Sequence, residues 1–414
     1  MTPSTASLSR PPCILLRSGW QVENIGDIAH TPGVLALLEE HFPEAEVIFW
    51  PYYVYLPPEE VTMLLKRFPK LRIVEGKLDA DGQASTPELA AAIADADLFL
   101  HSSGPATIAW ADAATFHRVT GRPFGVYGVT YGLYGIPEKK TLDDAAFVYL
   151  RDSISLEKAR ADGVRPSILE FSPDAAFATD VRDDTRAEAF LKAHQLKEGQ
   201  FLCCIPKHRH TPSWLHVRKN RAFDPVRHGQ NEAMAEHDHA PMREAITAVV
   251  RQTDLKVLIV HEDETELPIG RDWLLNKLPE DVKASVVWRD IPWLTDEAVS
   301  IYVRSAGHFG HEMHSPILCI GQGIPAIVGR WAEQSSKGCM WRDIGLPEWL
   351  FDFDQENEIE QYVPAVLKLA EDLPEARHRA IAARDFVRAR HAETMAVVRR
   401  TTVASVAART APGV

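Results

Sequence analysis

Short apolar runs alternate with amphipathic segments through the first half of the chain. The runs at residues 13–17, 45–51, 71–75, 98–101, 124–127, 147–150 and 167–170 read as strands. Between them, apolar residues recur at helical spacing over residues 33–41, 58–68, 86–94 and 106–120. This alternation predicts a mostly parallel sheet with helices on both faces. A polar, charged stretch at 180–200 reads as a link. The rhythm then restarts, with strands expected at 201–205, 256–261, 284–288 and 326–328, a short strand or turn at 307–310, helices at 242–252, 272–277 and 296–305, and a helix start at 315–321. The closing segment, 362–408, is largely helical in pattern and rich in Ala, Arg and Glu. The pattern predicts an α/β chain of two Rossmann-like domains facing across a cleft, with a C-terminal helical segment. Ligands of open α/β sheets bind outside the carboxyl ends of strands, so candidate chemistry belongs in the loops that follow strands.

Composition narrows the function classes. At 414 residues the chain exceeds one ordinary core. Its 58 acidic against 45 basic side chains give a formal net charge of −13, which argues against a nucleic-acid partner and leaves room for a local basic pocket. The five cysteines (Cys13, Cys203, Cys204, Cys319, Cys339) form no CxxC pair and read as buried thiols of a reducing compartment, with no metal site and a cytoplasmic location expected. No apolar run approaches the ~20 residues that span a bilayer. Residues 1–12 read as a disordered leader.

Five loops carry candidate chemistry. In the first strand-to-helix loop, Gly26 permits close backbone approach, while Asn24 and Asp27 suit a ligand or, more plainly, an Asx-turn and a helix cap. The run His101-Ser102-Ser103-Gly104 follows a strand and offers small residues to a ligand, or forms an ordinary tight turn. Tyr127, Tyr131 and Tyr134 suit sugar stacking or core packing equally. Lys207, His208, Arg209 and His210 gather at a strand end; that charge suits phosphate or carboxylate, and a solvated loop is the equal alternative. The charged residues beyond, to His239, read as a mobile lid. His308, His311 and His314 are spaced by three, but Gly307 and Gly310 argue against one helix presenting all three to a metal. A helix beginning near Met313–Ser315 would offer an anion site, with His314 as proton or hydrogen-bond donor.

In this order the loops resemble the polysaccharide pyruvyl transferase family. The carriers are Asn24-Ile25-Gly26-Asp27, the stretch DADLFLHSSGP, Arg151-Asp152-Ser153-Ile154-Ser155, Pro173-Asp174-Ala175-Ala176-Phe177, His261 with Asp263, Glu312-Met313-His314-Ser315, Gly323-Ile324-Pro325 and Lys337. The resemblance covers about residues 14–340. It implies a GT-B-like fold, with an N-terminal domain over 13–185 on the acceptor side, a C-terminal domain over 200–375 on the donor side, and a tail over 376–410 packing back on the first. It implies transfer of a pyruvyl group from phosphoenolpyruvate, the donor substrate, to two hydroxyls of a carbohydrate acceptor, with no separate cofactor. His314 and Asp27 become the catalytic candidates. Lys207, Arg209, Glu312, Ser315, Lys337 and His261 become donor contacts. Asn24, Gly26, His101, Ser102, Ser103 and Tyr131 become acceptor contacts. The family carries Arg where this chain has Glu312; either Lys207, Arg209 or Lys337 compensates, or, equally, the chain is a divergent branch with another donor, such as a nucleotide sugar. A nucleotide-diphosphate-sugar glycosyltransferase and a non-catalytic sugar-binding protein are the two other readings. The oligomeric state is not legible.

Overall fold

The computed structural model describes residues 10–53, 55–132 and 135–410. Most of the expected leader, and Tyr134, lie outside the described residues. The chain divides into two units: Met1–Val22, His30–Thr179 and Arg388–Val414 form the first, and Glu23–Ala29 with Asp180–Val387 the second.

The first unit holds seven strands, β1 (Cys13–Ser18), β2 (Glu46–Pro51), β3 (Arg72–Ile73), β4 (Leu98–His101), β5 (Phe124–Val129), β6 (Phe147–Leu150) and β7 (Leu169–Phe171). Their order is β3-β2-β1-β4-β5-β6-β7, and the paired neighbours are parallel. β1, CILLRS, is buried at every position, as a central parallel strand covered on both faces requires. The core gathers Leu15, Trp50, Phe99, Phe116 and Val148 around it. Two helices that the apolar pattern did not announce, Ile136–Asp144 and Ser153–Ala161, lie in this unit. The second is fixed by its cap: Asp152 accepts from the Ser155 N–H at 2.7 Å and the Ser155 hydroxyl at 2.8 Å. Next to it, the buried Arg151 pairs with buried Asp174 at 2.6 Å, which joins two stretches 23 residues apart.

The second unit repeats the plan with β8 (Phe201–Ile205), β9 (Lys256–Ile259), β10 (Val286–Trp288), β11 (Gly307–Gly310), β12 (Ala326–Arg330) and β13 (Leu350–Asp352). Their order is β10-β9-β8-β11-β12-β13, again parallel throughout. Strand β13 is not among the strands that the apolar pattern announces. The segment read as a mobile lid is instead the start of a 28-residue helix, Pro225–Gln252. Its beginning is polar all round, so no apolar stripe marks it. Asp224 caps it, and Asn231 grips both the N–H and the C=O of His210. Pro241 lies inside this helix, and His311 Nε2 bonds the Asp238 carbonyl one turn back at 2.9 Å. The long last helix, Leu373–Thr410, gives its residues from Arg388 onward to the first unit, where Thr394 meets the Tyr127 hydroxyl and Arg409 pairs with buried Asp97.

Removing one partner of a buried ion pair leaves an uncompensated charge. Asp174→Ala is expected to destabilise the first unit by about 3–5 kcal/mol in urea unfolding, because Arg151 stays buried.

Candidate functional site

In each sheet the strand order reverses beside the first strand, between β1 and β4 and between β8 and β11. The crevice at such a reversal is the natural ligand site of an α/β sheet. In the second unit the loops leaving β8 and β11 carry Lys207 and Glu312. The loop after β9 carries Glu262, Asp263 and Glu266.

The Asn24-Ile25-Gly26-Asp27 segment belongs to this second unit. The backbone N–H of Ile25 donates to the Glu262 carbonyl at 3.0 Å. Asn24, rather than Asp27, is the cap: its Oδ1 accepts from Gly26 N–H at 2.8 Å and Asp27 N–H at 3.2 Å. Its Nδ2 faces the Glu262 carboxylate at 3.4 Å. A Cβ added to Gly26 would lie 2.0 Å from the His314 Cβ, so the glycine is there for close approach. Asn24 and Gly26 therefore build the loop.

His314 opens the helix His314–Gly321. Its Nδ1 lies 3.5 Å from Glu262 and its Nε2 3.7 Å from Asp27. Lys337 Nζ sits 3.4 Å from both ring nitrogens. Lys337 is delivered by a strained turn: Ser335 adopts φ 63°, ψ −176°, a conformation nearly confined to glycine, and its hydroxyl accepts from the Lys337 N–H. The anion site expected at this helix start is already filled from within. Glu262 accepts the Ser315 N–H, and Glu312 accepts the Met313 N–H at 3.2 Å. The Ser315 hydroxyl is paired with Tyr302 at 2.8 Å.

Glu312 does not stand alone. Lys207 pairs with it and lies 3.5 Å from Glu266. Burial opposes the charge on Lys207, but Glu312 and Glu266 outweigh it and raise its pKa above the ordinary lysine value. Burial and then the Glu312 charge push Glu266 well above the carboxylate range. Burial works against charge on Glu312 too, yet Lys207 holds it below the usual range. Lys207 is thus held between two buried acids whose titrations are shifted in opposite directions. Beside it lies a cavity of about 380 Å³, lined among others by Lys207, Thr211, Arg227, Glu312 and Lys337.

Arg209 lines the same cavity, but Asp238 grips it through two bonds of 2.9 and 3.0 Å and Asp354 through one of 2.6 Å. Its charge faces carboxylates of its own unit. His261 lies inside the second unit. It is buried against Trp293, no described group bonds either ring nitrogen, and burial lowers its pKa to about 3. It is a neutral core histidine. His308 is the same kind of residue, and His311 is held by the carbonyls of Asp238 and Gly329.

The acceptor candidates of the first unit also turn inward. His101, Ser102 and Ser103 are fully buried. His101 stacks on Trp20, bonds the Ser102 carbonyl at 2.7 Å and accepts from Ala109 N–H at 3.3 Å; burial lowers its pKa to about 3. Ser103 takes the Ala175 N–H at 2.9 Å. Tyr131 packs into the hydrophobic core. In this structure these residues shape the loop. The residues that sequence reasoning missed are Glu262 and Glu266. The motif His261…Asp263 pointed to the correct loop, but its middle residue makes the contacts.

A family model described as polysaccharide pyruvyl transferase matches residues 24–329. No curated protein sequence matches the chain significantly. Among solved structures, the chain resembles a glycosyltransferase from Rickettsia africae (TM-score 0.56, 11% identity, covering 95% of this chain and 98% of that one). It also resembles MnaA of S. aureus with UDP (0.53, 12%, 90% and 91%) and UGT71G1 of Medicago truncatula with UDP-glucose (0.52, 9%, 91% and 94%). At these identities the likeness establishes the fold, which is GT-B-like.

Two outcomes are expected from this geometry. Gly26→Ala is overpacked against His314 and should lower stability by about 1–3 kcal/mol in thermal unfolding. His101, His239, His261 and His308 have folded pKa values lowered to about 3, chiefly by burial. Their unfolded value is about 6.5, so the unfolded chain binds more protons below that pH. Their stabilisation is complete above about 6.5 and is lost as pH falls towards the folded values. His308→Leu, which removes a buried ring without partners among the described residues, should leave stability at pH 7 equal or higher and flatten the fall between pH 6.5 and 4 in urea titrations.

Proposed function

The chain belongs to the polysaccharide pyruvyl transferase family, and on that premise we propose that it moves a pyruvyl group from phosphoenolpyruvate to two hydroxyls of a sugar in a polysaccharide or glycan precursor. The observation that carries the reading is the setting of His314: one imidazole held at a helix start between two carboxylates, Asp27 and Glu262, and one ammonium, Lys337. The reaction needs these groups. A proton added to the donor's methylene carbon makes it a methyl group and leaves an oxocarbenium-like centre. A first sugar hydroxyl attacks that centre and loses its proton. Phosphate then departs, and a second hydroxyl attacks and loses its proton. One hydroxyl proton balances the new methyl C–H and the other leaves with phosphate.

His314 is assigned the proton transfer to the donor, and Asp27 the acceptance of a hydroxyl proton. Lys337 and Lys207 reach the donor's phosphate and carboxylate from the walls of the cavity. In this arrangement Glu312 holds Lys207 in place instead of touching the donor, which explains how an acid is tolerated here. The reaction is placed in the cytoplasm, with the five thiols reduced. No helix among the described residues is long and apolar enough to cross a membrane.

Calorimetric titration of the full chain tests the donor. Saturable binding of phosphoenolpyruvate, and none of UDP-glucose, is expected; the reverse would overturn the reading. His314→Ala should lower turnover by about two to four orders of magnitude, while phosphoenolpyruvate still binds. A variant with parental turnover per folded molecule would remove His314 from the chemistry.

A further inference from the structure

The loop after β8 makes an unusual choice. It leaves Leu215 57% exposed and tucks the adjacent His216 inward at 8%. Hydrophobic burial alone would favour the opposite, so a specific partner must hold the imidazole. That partner is Asp263, whose Oδ2 lies 2.9 Å from His216 Nε2. Asp263 is itself fixed. It is 3% exposed, and its Oδ1 accepts from the Thr265 N–H at 2.9 Å and the Thr265 hydroxyl at 2.7 Å. Its backbone forms a bridge with Asn24, and it follows Glu262, so the pair borders the His314 cluster. An aspartate that receives Nε2–H fixes the tautomer, leaving the Nδ1 lone pair as the basic atom. Among the described residues no hydrogen bond to that Nδ1 is present.

We propose that His216 is a second proton-accepting residue of this site, with Asp263 as its positioning residue. The inference rests on the pyruvyl-transfer reading. Ketal formation removes protons from two hydroxyls, and Asp27 answers for one. His216 Nδ1 takes the proton of the other as the sugar oxygen bonds the donor's central carbon. The resulting imidazolium is balanced by Asp263, and the proton leaves with the released phosphate. The arrangement orients a base through a carboxylate, as nucleophile-activating triads do.

The test compares the full chain with His216→Gln and Asp263→Asn. Phosphate release is followed with phosphoenolpyruvate and a panel of methyl hexopyranosides, alongside melting, phosphoenolpyruvate affinity and carbethoxylation of His216 by diethyl pyrocarbonate. The expected result is a kcat at least 100-fold lower in His216→Gln, with KM and Kd for phosphoenolpyruvate and the melting temperature near the parent's. Asp263→Asn should lower kcat about 10-fold or more and slow the modification of His216. A His216→Gln protein with parental kcat, or one that loses donor affinity and thermal stability together, overturns the proposal and makes His216 a loop anchor. A parent that neither binds nor turns over phosphoenolpyruvate instead overturns the pyruvyl-transfer reading, and the role of His216 falls with it.

Discussion

The carboxylate of Glu262 is 1% exposed and sits at the end of β9, where a buried charge is costly unless donors surround it. Two elements supply them, through three groups. The helix His314–Gly321 gives its Ser315 N–H, the Asn24 loop gives a side-chain amide, and His314 turns a ring nitrogen towards it. Because the carboxylate must be satisfied, these elements converge. Gly26 is small for the same reason, since the loop can reach Glu262 only by lying against His314. The helix N-terminus, elsewhere a site for substrate anions, is here used to hold the protein's own acid.

Charge pairing explains the rest of the site. Acids outnumber bases over the chain, and several basic residues at the β8 end are already answered: Lys207 by Glu312 and Glu266, Arg209 by Asp238 and Asp354. Pairing differs in consequence between the two. Lys207 remains on the cavity wall, between Glu312 and Glu266. Arg209 is surrounded by carboxylates on several sides and ties the β8 loop to the long helix. The strained turn at Ser335 delivers Lys337 to His314, so backbone energy as well as charge is invested at this point.

Much of the fold was legible because parallel strands buried on both faces read as plain apolar runs. β4, β6, β8 and β11 lie where the pattern put them. Elements held by polar contacts were not legible. The helix over Pro225–Gln252 begins with a polar turn fixed by Asp224 and Asn231. At the site, the sequence marked strand-end loops, while the environments of several residues in them depend on neighbours the local pattern does not show. His101, His261 and Arg209 have reactive side chains at strand ends, yet each is satisfied or buried by neighbours distant in sequence. Glu262 gave no signal, because nothing in its local pattern shows that Asn24, 238 positions earlier, and Ser315, 53 positions later, meet at its carboxylate.

The claim that Glu262 joins the Asn24 loop to the His314 helix is tested most directly by amide hydrogen exchange on Glu262→Gln. The account predicts that Ser315 and the Ile25–Asp27 amides lose protection together, about tenfold or more, while the amides of β8 and β9 exchange as in the parent. Loss of protection at Ser315 alone, with Ile25–Asp27 unchanged, would contradict it.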